Sequence, residues 1–177
     1  MERQYQETKT ALTKELKAHT LNLIVKDSLA AVPDLENIRE HVRKIVGYFK
    51  SNTTAKEKLS ALQQDLKLEE LKFIQEVDTR WNSTFLMLEC FLRLKEPVSA
   101  ALTSLGAGFL PVIFHNDWIA IEQTTKIIKP FFAVTEEMSA EKYVTASKVV
   151  VLVRNLPKIT ATAVQQHDKR NHCLQPR

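Results

Sequence analysis

PDLENIREHVRKIVGYF, residues 33–49, carries the reading that decides the fold. Leu35, Ile38, Val42, Ile45 and Phe49 recur at alternating steps of three and four, which places them on one stripe of a helix. Pro33 suits the first turn, where a missing backbone N–H costs no helical hydrogen bond. The spacing predicts a strongly amphipathic helix whose apolar stripe needs a second element to cover it. Upstream, Leu12, Leu16, His19, Leu23 and Ala30 follow similar steps, so a helix is expected over residues 10–31, stopped by Pro33.

Downstream, Ser51-Asn52-Thr53-Thr54 reads as a polar turn. Thr54 and Glu57 have the spacing of a capping box, which predicts a third helix carrying Leu59, Leu62 and Leu66. Leu71-Lys72-Phe73-Ile74-Gln75-Glu76-Val77 is a short apolar run compatible with an extended or a helical backbone, and it reads as a connector. Trp81, Phe85, Leu88 and Leu92 form the next stripe, with a kink expected at Pro97 before the helix continues towards Leu105. Gly106-Ala107-Gly108 breaks the pattern. Asn116 is the expected N-cap of a helix with Trp118, Ile121, Thr125 and Ile128 inward, bent at Pro130 before Phe131 and Met138. A last helix is expected over residues 145–156. With 3 Gly and 6 Pro in 177 residues, the chain lacks the turn residues that a sandwich or barrel would need. No fixed-period repeat or sustained two-residue alternation is present, so the fold class is all-α, a helical bundle.

The net charge of +4 is unevenly placed: +3 over residues 1–60, −3 over 61–90, 0 over 91–153 and +4 over 154–177. Basic ends permit phosphate contacts, yet they fall short of the concentrated stripe of a dedicated nucleic-acid reader. No run of about 18 apolar residues suggests a membrane span, and the charged stretch after Met1 lacks the apolar core of a secretion signal. Cys90 and Cys173 stand apart, outside any paired-cysteine metal pattern, and are expected as reduced thiols.

Catalytic chemistry finds little purchase. Two-metal phosphoryl transfer needs carboxylates converging from different elements, whereas Glu69-Glu70 and Glu136-Glu137 are expected as neighbours on helices, where adjacent positions diverge by about 100°. A solvated face explains them better. His19, His41, His115, His167 and His172 lack the i, i+4 partner of a helical zinc site, and no phosphate-binding glycine loop or nucleophile elbow occurs. Trp81 with Phe85 and Leu88 reads first as core. Around it, Asp78, Thr79, Arg80, Asn82, Ser83 and Thr84 gather polar groups at a helix start, an arrangement that could stack a base while phosphate approaches free amides.

The block from Gln75 to Phe85, QEVDTRWNSTF, followed by Met87-Leu88-Glu89, resembles the most distinctive stretch of hAT-superfamily transposases and of the BED-type zinc-finger proteins derived from them. Further matches occur in order: Ala18 to Leu23, Ile45 to Ser51, Asp117-Trp118, Lys129 to Phe131, Thr135 to Ser139 and Tyr143 to Lys148. The resemblance implies the helical insertion region of a ribonuclease H-like domain, with most of the sheet missing. The organisation expected is a helical extension over residues 1–16, the hAT-like region over 17–157 and a basic, disordered tail over 158–177. The family's two aspartates, its glutamate, its zinc finger and its dimerisation segment are expected to lie outside this stretch. The implied function is a noncatalytic part of a nuclear, DNA-associated or transcription-regulating protein, with no metal, cofactor, small-molecule substrate or membrane. DNA, contacted weakly, and protein partners or a second copy are the implied partners, and a helical protein-interaction module without DNA binding is the alternative. By resemblance Trp81 corresponds to a tryptophan that steadies an unstacked base, and Arg80 and Asn82 flank it at the DNA. His19 corresponds to the histidine of a Cys-x-x-His pair near the active site, although Leu16 stands where the cysteine would be.

Overall fold

A computed structural model describes residues 19–140, among which the chain forms helices and no strand. α1 covers residues 19–30, α2 Pro33–Ser51, α3 Thr53–Asp65, α4 Trp81–Arg93, α5 Lys95–Ser104 and α6 His115–Ala140. The helix expected over 145–156 and the tail lie outside the described residues. The chain divides into two compact units, one of residues 26–125 and one that includes 19–25 and 126–140. In the larger unit α3 packs on α2 and α5, and α4 packs on α2 and α5.

α2 forms as its sequence dictates. Pro33 occupies the first turn, Asp34 and Glu36 face the positive end of the helix dipole, and Lys50 sits near the negative end. Ile38, Val42, Ile45, Val46 and Phe49 are buried, with Leu35 half-buried at the margin. Asn52 then ends one helix and starts the next: its N–H donates to Tyr48 O at 3.0 Å, and its Oδ1 accepts from Ala55 N–H at 3.0 Å. Asn52, rather than a Thr54–Glu57 box, is therefore the cap of α3. The side-chain carbonyl of Asn52 stands three residues before a free N–H, the geometry a cap needs. On α3 the buried positions are Ala55, Leu59 and Gln63, while Leu62 is half-buried and Leu66 is exposed.

α3 and α5 close in the same way. Leu68 N–H reaches Gln63 O and Lys67 N–H reaches Gln64 O, both at 2.9 Å. Ala107 N–H reaches Leu102 O at 3.2 Å and Gly106 N–H reaches Thr103 O at 3.3 Å. Each closure needs one left-handed residue: Gly106 takes it at φ 61°, but on α3 a lysine, Lys67, takes it at φ 53°.

Several expectations change. On α1 the buried residues are Leu21 and Val25, while His19, Leu23 and Ala30 are exposed. The four-residue step of Leu21 and Val25 defines an equally regular stripe, and burial selected it. Pro97 does not kink a continuous helix. α4 ends at Arg93 and α5 begins at Lys95, because Pro97 has no N–H to give the Arg93 carbonyl, and Pro97 then fits the first turn of α5. At α6, Asn116 lies inside the helix; Asp117 Oδ2 accepts from Phe114 N–H at 2.8 Å and closes the entry. The helix passes through Pro130 without ending.

The core of the larger unit joins Val42, Ile45, Val46 and Phe49 to Leu59, Phe73, Leu88, Phe91, Leu94, Val98 and Ile121. An aromatic series threads it: Phe49 to Phe73 at 5.6 Å, Phe73 to Phe91 at 6.1 Å and Phe91 stacked on Trp118 at 4.9 Å between ring centroids. Phe73 belongs to the connector, whose residues 68–77 form neither helix nor strand and whose burial over 71–75 follows the pattern of an extended chain. Leu71, Phe73 and Gln75 are at least partly buried and Lys72 and Ile74 are exposed, a two-residue alternation that the apolar run obscures in sequence. Glu69 and Glu70 consequently lie on this segment and not on a helix. In the smaller unit Leu21, Val25, Ile128 and Val134 are buried.

Two outcomes test this description. Lys67→Gly removes the left-handed penalty on a side chain and should stabilise the chain by about 1 kcal/mol in urea denaturation; a loss of stability would contradict the helix ending described. Burial pushes the Cys90 thiol above its ordinary range, against a smaller opposing effect of the Ile74 backbone. In a Cys173→Ser chain, iodoacetamide should leave Cys90 unmodified at neutral pH until denaturant is added, and prompt labelling of the folded chain would contradict its burial.

Candidate functional site

The extended segment turns at Asp78-Thr79 and feeds directly into α4. Arg80 N–H donates to Val77 O at 2.9 Å, closing the turn. Ser83 holds it from inside: its Oγ accepts from Val77 N–H at 2.8 Å and lies 2.6 Å from Arg80 O, to which it can donate. Arg80 is the N-cap residue but contributes no side-chain cap, so Ser83, three residues on, secures the helix start.

Below the turn lies a buried charge. The Glu76 side chain is only 1% exposed, and its Oε1 accepts from Arg39 Nη1 at 2.6 Å and from Thr84 Oγ1. Arg39 also pairs with Glu36 one turn earlier on α2. Hydrogen bonding to Glu36, with further support from Glu76, holds the guanidinium above its ordinary value against the opposing effect of burial, so it stays charged. Glu76 Oε2 makes no hydrogen bond within the chain. A cavity of about 40 Å³ lies among Lys26, Glu36, Arg39, Glu76, Trp81 and Thr84, comparable to the roughly 30 Å³ one water occupies in the liquid. Outside it, Arg43 grips Asp78 with both terminal nitrogens, at 3.1 and 3.3 Å, and Lys26 Nζ donates to Asp78 O at 2.8 Å.

Trp81 forms one wall of that cavity and is 2% exposed. Arg80 is exposed beside it, and Asn82 is half-buried with its Oδ1 unpaired. These three stand together because they are consecutive at the start of α4. His19 is exposed on α1 in the other unit, so the site around Trp81 is built from residues 26–125 alone. Sequence reading missed Arg39, Arg43 and Glu76 as site residues. The available signal was Glu76 itself, a lone charge closing an apolar run, which requires a partner wherever the run is buried. Among the described residues no three His, Cys, Asp or Glu side chains are grouped to hold a metal ion. Glu69 pairs with Arg93 at 2.9 Å and Glu70 accepts from Ser60 Oγ at 2.7 Å, which accounts for that acidic pair structurally.

An all-helical unit with this turn-and-tryptophan start to α4 fits the class of hAT-transposase-derived domains. The family model for the ZBED1 RNase-like helical domain matches residues 15–127, and the chain belongs to that family of hAT-derived, BED-type proteins. It is similar to human zinc finger BED domain-containing protein 4, with 31% identity over 139 residues, covering 78% of this chain and 12% of that protein. A maize protein named as an AC transposase is 33% identical over 131 residues, 73% of this chain and 16% of the relative. A Talaromyces stipitatus protein named as a transcriptional regulator is 30% identical over 123 residues, 70% and 14% respectively. The chain thus spans less than a fifth of the length of these relatives. No solved structure matches it.

The buried pair generates a prediction. Arg39→Ala leaves the buried Glu76 carboxyl without its cation and held by Thr84 alone, and should cost about 3–5 kcal/mol. Glu76→Gln should cost less, and adding it to Arg39→Ala should recover part of the loss. Strict additivity of the two substitutions in urea denaturation would show that the pair is not coupled.

Proposed function

We propose that this chain acts as a noncatalytic helical module of an hAT-transposase-derived nuclear protein with a DNA-associated, transcription-regulating role. The observation that carries the reading is the QEVDTRWNSTF block seated at a polar turn and helix start, in a chain whose relatives are named as BED zinc-finger proteins, a transposase and a transcriptional regulator. Arg80 supplies an exposed cation at the start of α4, and the first N–H groups of a helix favour phosphate. In the resting state Trp81 is packed inside. Contact with an unstacked base therefore requires the first turn of α4 to open, which makes DNA binding by this chain weak and dependent on duplex distortion.

The reading is tested with the purified full chain and fluorescent DNA, comparing an intact duplex with one carrying an unpaired base, across a salt series and with Mg²⁺ or Mn²⁺ present. Expected are weak binding that falls log-linearly with salt, tighter binding to the unpaired-base duplex, loss of that preference in Trp81→Ala, and no strand cleavage. Metal-dependent cleavage that survives both Trp81→Ala and removal of contaminating nucleases would refute the noncatalytic assignment. A clean monomer that binds neither DNA would favour the alternative, a protein-interaction module. That reading has its own support in the exposed Phe109, Val112 and Phe114 beside a largely apolar cleft of about 450 Å³.

A further inference from the structure

A cleft of about 560 Å³ runs between α3 and the extended segment, with Phe49, Leu59, Leu71 and Phe73 among its walls. Its backbone chemistry is asymmetric. Gln63, 1% exposed, accepts from Leu71 N–H at 2.8 Å and donates from Nε2 to Leu71 O at 3.3 Å. One side-chain amide thus satisfies both polar groups of one residue, as a neighbouring strand would. In an extended chain the next N–H and C=O on that edge belong to the residue two positions on, Phe73. Among the described residues neither group of Phe73 makes a hydrogen bond. The opposite edge is covered by α4, where Cys90 Sγ lies 3.6 Å from Lys72 O. The open rung therefore falls where the cleft lies.

The rim adds a sign. Lys50, Lys56 and Lys72 line the cleft and enter no ion pair among the described residues, and Glu70, hydrogen-bonded by the neutral Ser60 hydroxyl, adds one carboxylate to the lining. Glu57 is the remaining acidic group on the lining. Three ammonium groups against two carboxylates leave a net charge of +1 around aromatic and leucine walls, which suits a ligand with apolar side chains and flanking carboxylates. A phosphate backbone would use the lysines and leave the apolar walls empty.

We propose that this cleft is a docking groove for an extended acidic peptide, which adds a strand along Phe73, places apolar side chains against Phe49 and Leu59, and presents carboxylates to Lys50, Lys56 and Lys72. The recognition mode is strand addition beside a helix: main-chain hydrogen bonds give affinity and alternate side chains give specificity. It does not depend on DNA contact at Trp81, because the two sites share no residue.

The test uses the full chain and a fluorescein-labelled peptide of alternating glutamate and leucine, read by anisotropy. Saturable binding is expected, about tenfold weaker in the Lys56→Glu/Lys72→Glu double variant. The same peptide with every second amide N-methylated should also lose about tenfold, because it keeps charge and side chains but cannot complete the Phe73 rung. Circular dichroism of the double variant, unchanged from the parent, excludes unfolding as the cause; Lys50→Gln/Lys72→Gln serves if it is not. Absence of saturable binding, equal binding of a lysine–leucine peptide, or indifference to N-methylation would overturn the proposal. Displacement of the peptide by a duplex DNA that binds more tightly through Lys56 and Lys72 would overturn it in favour of a phosphate site.

Discussion

A carboxylate that is almost wholly withdrawn from water sets the arrangement of the larger unit. An unpaired buried charge costs several kcal/mol, so Glu76 can be buried only where a cation reaches it. Arg39 is that cation, and the requirement fixes the extended segment at one register along α2. Thr84 donates to the same oxygen and brings the start of α4 to the same point. Asp78 then meets Arg43, one turn further along α2. Apolar burial supplies most of the stability, but it is non-directional and would tolerate several registers. The polar contacts of Glu76 and Asp78 select one, and with it the place where Trp81 begins a helix.

That placement bears on how the proposed DNA contact would operate. A buried tryptophan withdraws about 150–250 Å² from water, so exposing it would forfeit roughly 4–6 kcal/mol. An open state at that cost is rare in the absence of a ligand, and an intact duplex offers nothing to offset it. An already unpaired base does, because its own unstacking has been completed and the ring can pass from one apolar contact to another. Ser83 adds to the cost, since its bonds to Val77 and Arg80 tie the turn to the start of α4 and must break when that turn opens.

The all-α class and the stripe of α2 were legible because they depend on a periodicity that survives in any context. Caps and joints were less legible, since they turn on which of several competent residues prevails. Asn52 and Thr54 both carry capping groups, and only the backbone path decides between them. Leu21 with Val25 competes with Leu23 in the same way, and three-dimensional burial chooses. The extended segment was obscured because Ile74 and Val77, both apolar, are exposed while Glu76, charged, is buried, which reverses the pattern that hydropathy reads. Arg39 could not be paired with Glu76 from sequence, because 37 residues separate them and no local rule reaches that far. The family was legible in QEVDTRWNSTF for a different reason: Glu76, Asp78, Ser83 and Thr84 all have bonding roles at the turn, so the motif records a structural constraint as well as any functional one.

An extended segment in a helical domain exposes backbone groups that helices would satisfy internally, and the chain deals with them one rung at a time. Gln63 satisfies Leu71, Cys90 covers Lys72, and the turn bonds of Ser83 take Val77. Each of these is a side chain substituting for a strand, and none of them reaches Phe73. Phe73 lies between such caps, with its ring held in the aromatic series of the core and its main-chain groups unclaimed. An open edge invites pairing, and proteins commonly guard such edges with lysine. Here Lys72 and the neighbouring Lys56 discourage a second cationic or purely apolar strand while leaving an acidic one attractive, so the same residues that protect the edge also define what it would accept.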